Sequence, residues 1–145
     1  MCKYVPYIVF LSYAILLIVL AVTWDIRFFR VVLVPAVTFF LVTVFRRAFN
    51  FPRPYEKLEI SPLIPRNKKG QSFPSRHVAS VFIIAMALLF CCPPAGIAML
   101  VIGCFIAVTR VLAGIHFPRD VVAGAVFSIA AGAVGFFAVP MPIPL

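Results

Sequence analysis

Apolar residues fall into five long runs, at about 4–24, 28–45, 78–92, 95–109 and 121–139, separated by short polar strips. Runs of that length and character predict five transmembrane helices. Trp24 with the charged Asp25, Arg27 and Arg30 closes the first helix at an interface, and Arg46-Arg47 closes the second. Pro93-Pro94 leaves almost no chain between the third and fourth runs, which predicts an antiparallel helical hairpin. Those two runs hold only about 15 residues each, roughly 22 Å of helix against a hydrocarbon core of about 30 Å. They suffice only if their polar ends join the helix, the third reaching back to Ser75 and the fourth forward to Arg110. In the fifth run Gly124, Ser128 and Gly132 follow Asp120 at intervals of four, a stripe suited to close helix packing.

Composition places the whole chain in a bilayer. It is 145 residues long and 64% hydrophobic, with a mean hydropathy of +1.14, where soluble domains are roughly 45–50% apolar. The expected fold is all-α, a polytopic integral-membrane helical bundle forming a single domain over residues 1–145. The first run is too long for a signal-peptide core and has no small-x-small cleavage pattern, so it is expected to be a true span. A net charge of +9 could suggest nucleic acid, but these cations sit between membrane-length runs, and the lipid bilayer is the better partner. The connection 46–76 carries eight of the thirteen basic residues. Within it Leu58, Ile60, Leu63 and Ile64 alternate with polar residues and prolines, which suits a segment lying on the membrane surface. The tail after Pro140 is too rich in proline to be helical. Cys2, Cys91, Cys92 and Cys104 show no metal-ligand spacing and are read as small apolar side chains.

Acidic residues are few, namely Asp25, Glu56, Glu59 and Asp120, so the position of each carries information. Asp120 stands four residues after His116, and if Pro118 opens the last helix the two share a face. There the carboxylate can hold the imidazole in one tautomer and raise its basicity, as a nucleophilic histidine requires. Arg110 adds a planar cationic fork suited to phosphate or carboxylate. The chain's other histidine, His77, follows Ser75, a natural N-cap whose helix would turn free N–H groups toward an anion. With five spans, 46–76 and 110–120 emerge on the same side, so the two histidines can meet.

In these motifs the chain resembles the type 2 phosphatidic acid phosphatases, or lipid phosphate phosphatases, whose site the vanadium haloperoxidases share. The family's lysine, six residues, then Arg-Pro is matched by Arg46 and Arg53-Pro54. Its Pro-Ser-Gly-His is matched by Pro74-Ser75-Arg76-His77, and its Ser-Arg, five residues, His, three residues, Asp by Thr109-Arg110, His116 and Asp120. The resemblance implies that His116 attacks phosphorus to form a phosphohistidine, Asp120 orients it, and His77 protonates the leaving oxygen. It implies that Arg46, Arg53, Ser75 and Arg110 hold the phosphoryl oxygens, and that no metal or other cofactor takes part. Three departures are visible: Arg46 in place of lysine, Thr109 in place of serine, and Arg76 in place of glycine. The side chain of Arg76 is a candidate for an additional phosphate contact, suiting a diphosphate head group.

The expectation is thus a hydrolase acting on a membrane lipid phosphomonoester or diphosphate, the favoured substrates being undecaprenyl diphosphate, phosphatidic acid or phosphatidylglycerophosphate. The alternative is a non-catalytic lipid-binding or assembly protein that retains the fold. Cations are concentrated on the site side, which by the positive-inside rule favours the cytoplasm. The first helix, with more cations after it than before it, and the family's usual orientation argue for a cell-membrane protein with an extracytoplasmic site.

Overall fold

The computed structural model describes residues 5–58 and 69–140. The stretch expected to lie along the membrane surface falls, apart from Leu58, outside these residues, as does the tail after Pro140. Among the described residues the chain is helical, without strands: α1 (Val5–Val22), α2 (Arg27–Phe49), a single turn α3 (Pro54–Lys57), α4 (Arg76–Cys91), α5 (Pro93–Leu112) and α6 (Pro118–Gly132), which runs on into a π-helical turn (Ala133–Ala138). Five apolar helices therefore stand where five runs were read. Among the described residues, α2, α5 and α6 with its extension are the helices long and apolar enough to cross a membrane by their own length.

The short α4 is the axis of the bundle. All eleven residues from Val78 to Leu88 are buried, because α1, α2, α5 and α6 surround it. A helix enclosed by protein need not match the hydrocarbon thickness, which explains how sixteen residues suffice here. Its packing divides among three clusters. One joins Val81, Ile84 and Leu88 to Val9, Met99 and Ile106, and a second joins Ile83, Met86 and Ala87 to Leu20, Val31 and Phe136. The third sets Val78 and Phe82 against Val121. Outward, Phe29, Phe40, Phe105 and Leu112 are exposed, as helices facing lipid require.

The expected hairpin is present, with Cys92 the single residue between α4 and α5 and Pro93 opening α5. Gly96 makes the tight crossing possible, since a Cβ there would lie 2.3 Å from the backbone of Leu89. The small-residue stripe of α6 packs as expected. A Cβ on Gly124 would come within 2.7 Å of the Ser75 carbonyl oxygen, and one on Gly132 within 2.7 Å of Met86.

Two polar contacts repair helix defects. Pro35 lies inside α2 and has no N–H to offer the carbonyl of Val31, four residues earlier. The Tyr13 hydroxyl of α1 donates to that oxygen at 2.9 Å, tying the two helices together. At the far end Arg30 donates to the carbonyls of Phe136, Val139 and Pro140, which the end of the π-helical turn leaves open. Asp25 and Arg27 pair at 2.6 Å beside a nearly fully exposed Trp24 (93%), at the boundary read from sequence.

Candidate active site

His116 sits in the bend joining α5 to α6. The bend is closed by hydrogen bonds from Gly114 N to Val111 O (2.9 Å) and Ile115 N to Arg110 O (3.3 Å). Gly114 takes a φ of +69°, a conformation that glycine adopts without strain. Ile115 is fully buried and anchors the bend, leaving His116 only 4% exposed. Pro118 then opens α6 as expected, with Phe117 at the N-cap position. Asp120 on the first turn reaches back, and its Oδ2 accepts the Phe117 N–H at 3.1 Å. A carboxylate three residues into a helix is doubly suited to this place, satisfying an open N–H and facing the positive helix end.

Asp120 is fully buried, and its Oδ2 lies 3.7 Å from His116 Nδ1. That is an electrostatic contact rather than a direct hydrogen bond. Between the two stands Ser72, which the sequence reading did not single out. Its hydroxyl donates to Asp120 Oδ2 at 2.5 Å and lies 3.4 Å from His116 Nδ1. Because the hydroxyl hydrogen is committed to Asp120, Ser72 presents lone pairs to the ring. Both neighbours of Nδ1 are then acceptors, which favours the tautomer with its proton on Nδ1 and leaves the Nε2 lone pair available.

Ser72 is also the crosspiece of the surrounding loops. Its N–H donates to Phe51 O at 2.8 Å, and its carbonyl accepts Arg46 Nη1 at 3.3 Å. The same Arg46 nitrogen donates to Pro74 O. Arg53 Nε donates to Gly70 O at 3.0 Å, while Glu56 Oε1 accepts the N–H groups of Gly70 (2.7 Å) and Arg53 (3.3 Å). Asn50 completes the join by accepting Gln71 N at 3.1 Å. Arg46, Arg53 and Arg110 are all buried, at 5%, 4% and 7% exposure. Arg46 comes from the last turn of α2, Arg110 from that of α5, and Arg53 from the loop just before α3.

Ser75 holds the N-cap position of α4, but its hydroxyl makes no capping bond. Instead its N–H donates to Asp120 O at 2.8 Å, setting the mouths of α4 and α6 side by side. The Ser75 hydroxyl is buried and bonded to no described residue. The next two residues, Arg76 and His77, are half-buried and line a cavity together with Ser80. Thr109, at the position of the family's serine, turns its hydroxyl back onto Ile106 O. Arg119 is exposed; its guanidinium lies over the rings of Phe51 and Phe117, and its Nε is 3.6 Å from Asp120 Oδ1.

Asp120 raises the basicity of His116, as expected, but it does not set the net shift. Burial is the largest influence and pushes the imidazole below its ordinary value of 6.5, with Arg53 and Arg46 acting in the same direction and Asp120 opposing them. His116 is therefore a neutral imidazole at neutral pH, with its lone pair available.

A bundle of apolar helices with a buried His–Asp pair and three buried arginines at one end defines a multi-pass membrane protein with a buried, cationic histidine cluster. The PAP2 superfamily model matches residues 27–142, and the chain belongs to that family. It is 34% identical over 94 residues to a lipid A 1-phosphatase of Rhizobium johnstonii, covering 60% of this chain and 37% of that protein. It is 32% identical over 81 residues to an undecaprenyl-diphosphatase of Bacillus subtilis, covering 56% and 42%. The alignments thus span about two-fifths of the length of these curated relatives. Among solved structures, Aquifex aeolicus LpxE superposes with a TM-score of 0.78 at 28% identity, covering 92% of this chain and 82% of that one. A PAP2-type phosphatidylglycerolphosphate phosphatase from Bacillus subtilis shares the fold, with a TM-score of 0.63 at 18% identity, covering 92% and 72%.

Proposed function

We propose that this chain is a single-domain membrane lipid phosphatase that cleaves a lipid phosphomonoester or diphosphate through a phosphohistidine. The observation that carries the reading is the buried His116 whose Nδ1 faces Ser72 and Asp120, among three buried arginines. Its relatives, named a lipid A 1-phosphatase and an undecaprenyl-diphosphatase, support the substrate class.

In this mechanism the phosphoryl oxygens sit among Arg46, Arg53, Arg110 and the Ser75 hydroxyl. Positive charge around three equatorial oxygens is the main requirement of phosphoryl transfer. His116 Nε2 attacks phosphorus, the N–P bond forms, and the bond to the leaving oxygen breaks. His77 gives its proton to that oxygen. Asp120 stabilises the cationic imidazole as the nitrogen bonds to phosphorus. Water then attacks the phosphohistidine, the now neutral His77 takes its proton, and inorganic phosphate departs as His116 is restored. The arginines supply the charge that a metal would otherwise contribute, so the cycle needs no metal ion. The site faces the extracytoplasmic side of the cell membrane.

The test is purified protein in detergent containing EDTA, assayed for phosphate release from a panel of lipid phosphates and diphosphates. Turnover with at least one, lost in His116→Ala, is the expected outcome. Binding without turnover across the panel would favour a lipid-binding protein instead.

A further inference from the structure

Arg76 and His77 line a cavity of about 290 Å³ together with Ser80 on the next turn of α4. Its walls are apolar and come from three other helices: Phe10 of α1, Phe39 of α2 and Ile106 of α5. Arg76 takes no part in the hydrogen bonds that bind Arg46 and Arg53 into the loops. Its guanidinium carbon lies 5.7 Å from the centroid of the Phe39 ring, which steadies it at the cavity. Among the described residues no carboxylate comes within ion-pair distance of it. A half-buried cation beside low-dielectric walls attracts an anion more strongly than one in open water.

We propose that this cavity is the leaving-group subsite for a lipid diphosphate, in which Arg76 holds the phosphate that stays on the lipid. The proposal rests on the phosphatase reading above and names its substrate. His116 attacks the terminal phosphorus, and the bond from that phosphorus to the bridging oxygen breaks. The bridging oxygen departs on the lipid monophosphate and receives its proton from His77, one residue from Arg76. Negative charge grows on the departing phosphate as the bond breaks. Arg76 therefore holds the transition state more tightly than the ground state, and its effect falls on kcat. The carbon chain leaves along Phe10, Phe39 and Ile106. With a lipid monophosphate the leaving group is an alcohol, which gives a guanidinium little to bind, so Arg76 selects diphosphate over monophosphate.

The test uses the full chain in detergent, with a prenyl diphosphate and a prenyl monophosphate of the same chain length, and initial rates of phosphate release. Wild type is expected to prefer the diphosphate. Arg76→Gly should lower the ratio of the two kcat/KM values about tenfold or more, the size of one lost charge-assisted hydrogen bond, mainly through kcat. Arg76→Lys should recover part of the ratio. Phe39→Leu, which leaves the cation in place without its ring, should move the ratio the same way by less. An Arg76→Gly enzyme that loses both activities equally, or keeps the wild-type ratio, overturns the proposal while leaving the phosphatase reading intact. A wild type that releases phosphate from neither lipid overturns both.

Discussion

At position 116, burial and two neighbouring arginines outweigh the carboxylate, and the imidazole stays neutral below its ordinary value of 6.5. The acid-side decline of kcat/KM should therefore lie below pH 6.5, and a decline centred above that value would contradict this reading. The same depression makes the fold less stable in acid. The unfolded chain takes up a proton as pH falls through about 6.5, where the native chain does not. The pairing of His116 and Asp120 was legible because a spacing of four across Pro118 is enough to bring the two side chains together. Ser72 was not, since a serine in a polar loop looks like any other until folding buries it beside Asp120. Ser72→Ala removes the hydroxyl that donates to Asp120 Oδ2. It should cut kcat by about tenfold to a hundredfold, by leaving a buried carboxylate short of a donor and the His116 tautomer less fixed. A kcat within twofold of wild type would show that Ser72 is only a loop strut.

Among the elements, the runs in the sequence located the helices because a membrane helix needs little beyond continuous apolar character. What the runs did not reveal was which helix the others surround. α4 is among the shortest runs, and its place at the axis is set by its neighbours rather than by its own composition. The glycine and serine stripe of α6 foretold close packing without naming the surface it meets. That surface is α4, from its mouth, where Gly124 lies against the Ser75 carbonyl, down to Met86, which faces Gly132. The neighbour is backbone, so Gly124→Ala is expected to push α6 away from Ser75, with an overpacking cost of about 1–3 kcal/mol. Thermal melting in detergent should report that loss, together with lower activity because the Ser75–Asp120 bond joins the two mouths. Unchanged melting and activity would mean that the crossing is looser than this geometry indicates.

For the whole molecule, the site end gathers the ends of α2 and α5 and the starts of α4 and α6, the result expected from five spans. The proposed orientation, with the site outside, follows from the cations Arg27 and Arg30 that trail the first helix. In a variant without native cysteines, a cysteine placed at Lys69 should react with a membrane-impermeant thiol reagent on intact cells. Labelling only after lysis would put the site in the cytoplasm. One measurement addresses the proposed phosphohistidine directly. Purified chain is mixed briefly with a lipid substrate carrying labelled terminal phosphate, quenched without acid, digested, and its peptides analysed for phosphate. The account expects an acid-labile, alkali-stable label on the peptide containing His116, absent in His116→Ala and accumulating before steady state. Turnover with no label under any quench, or undiminished turnover in His116→Ala, would contradict it.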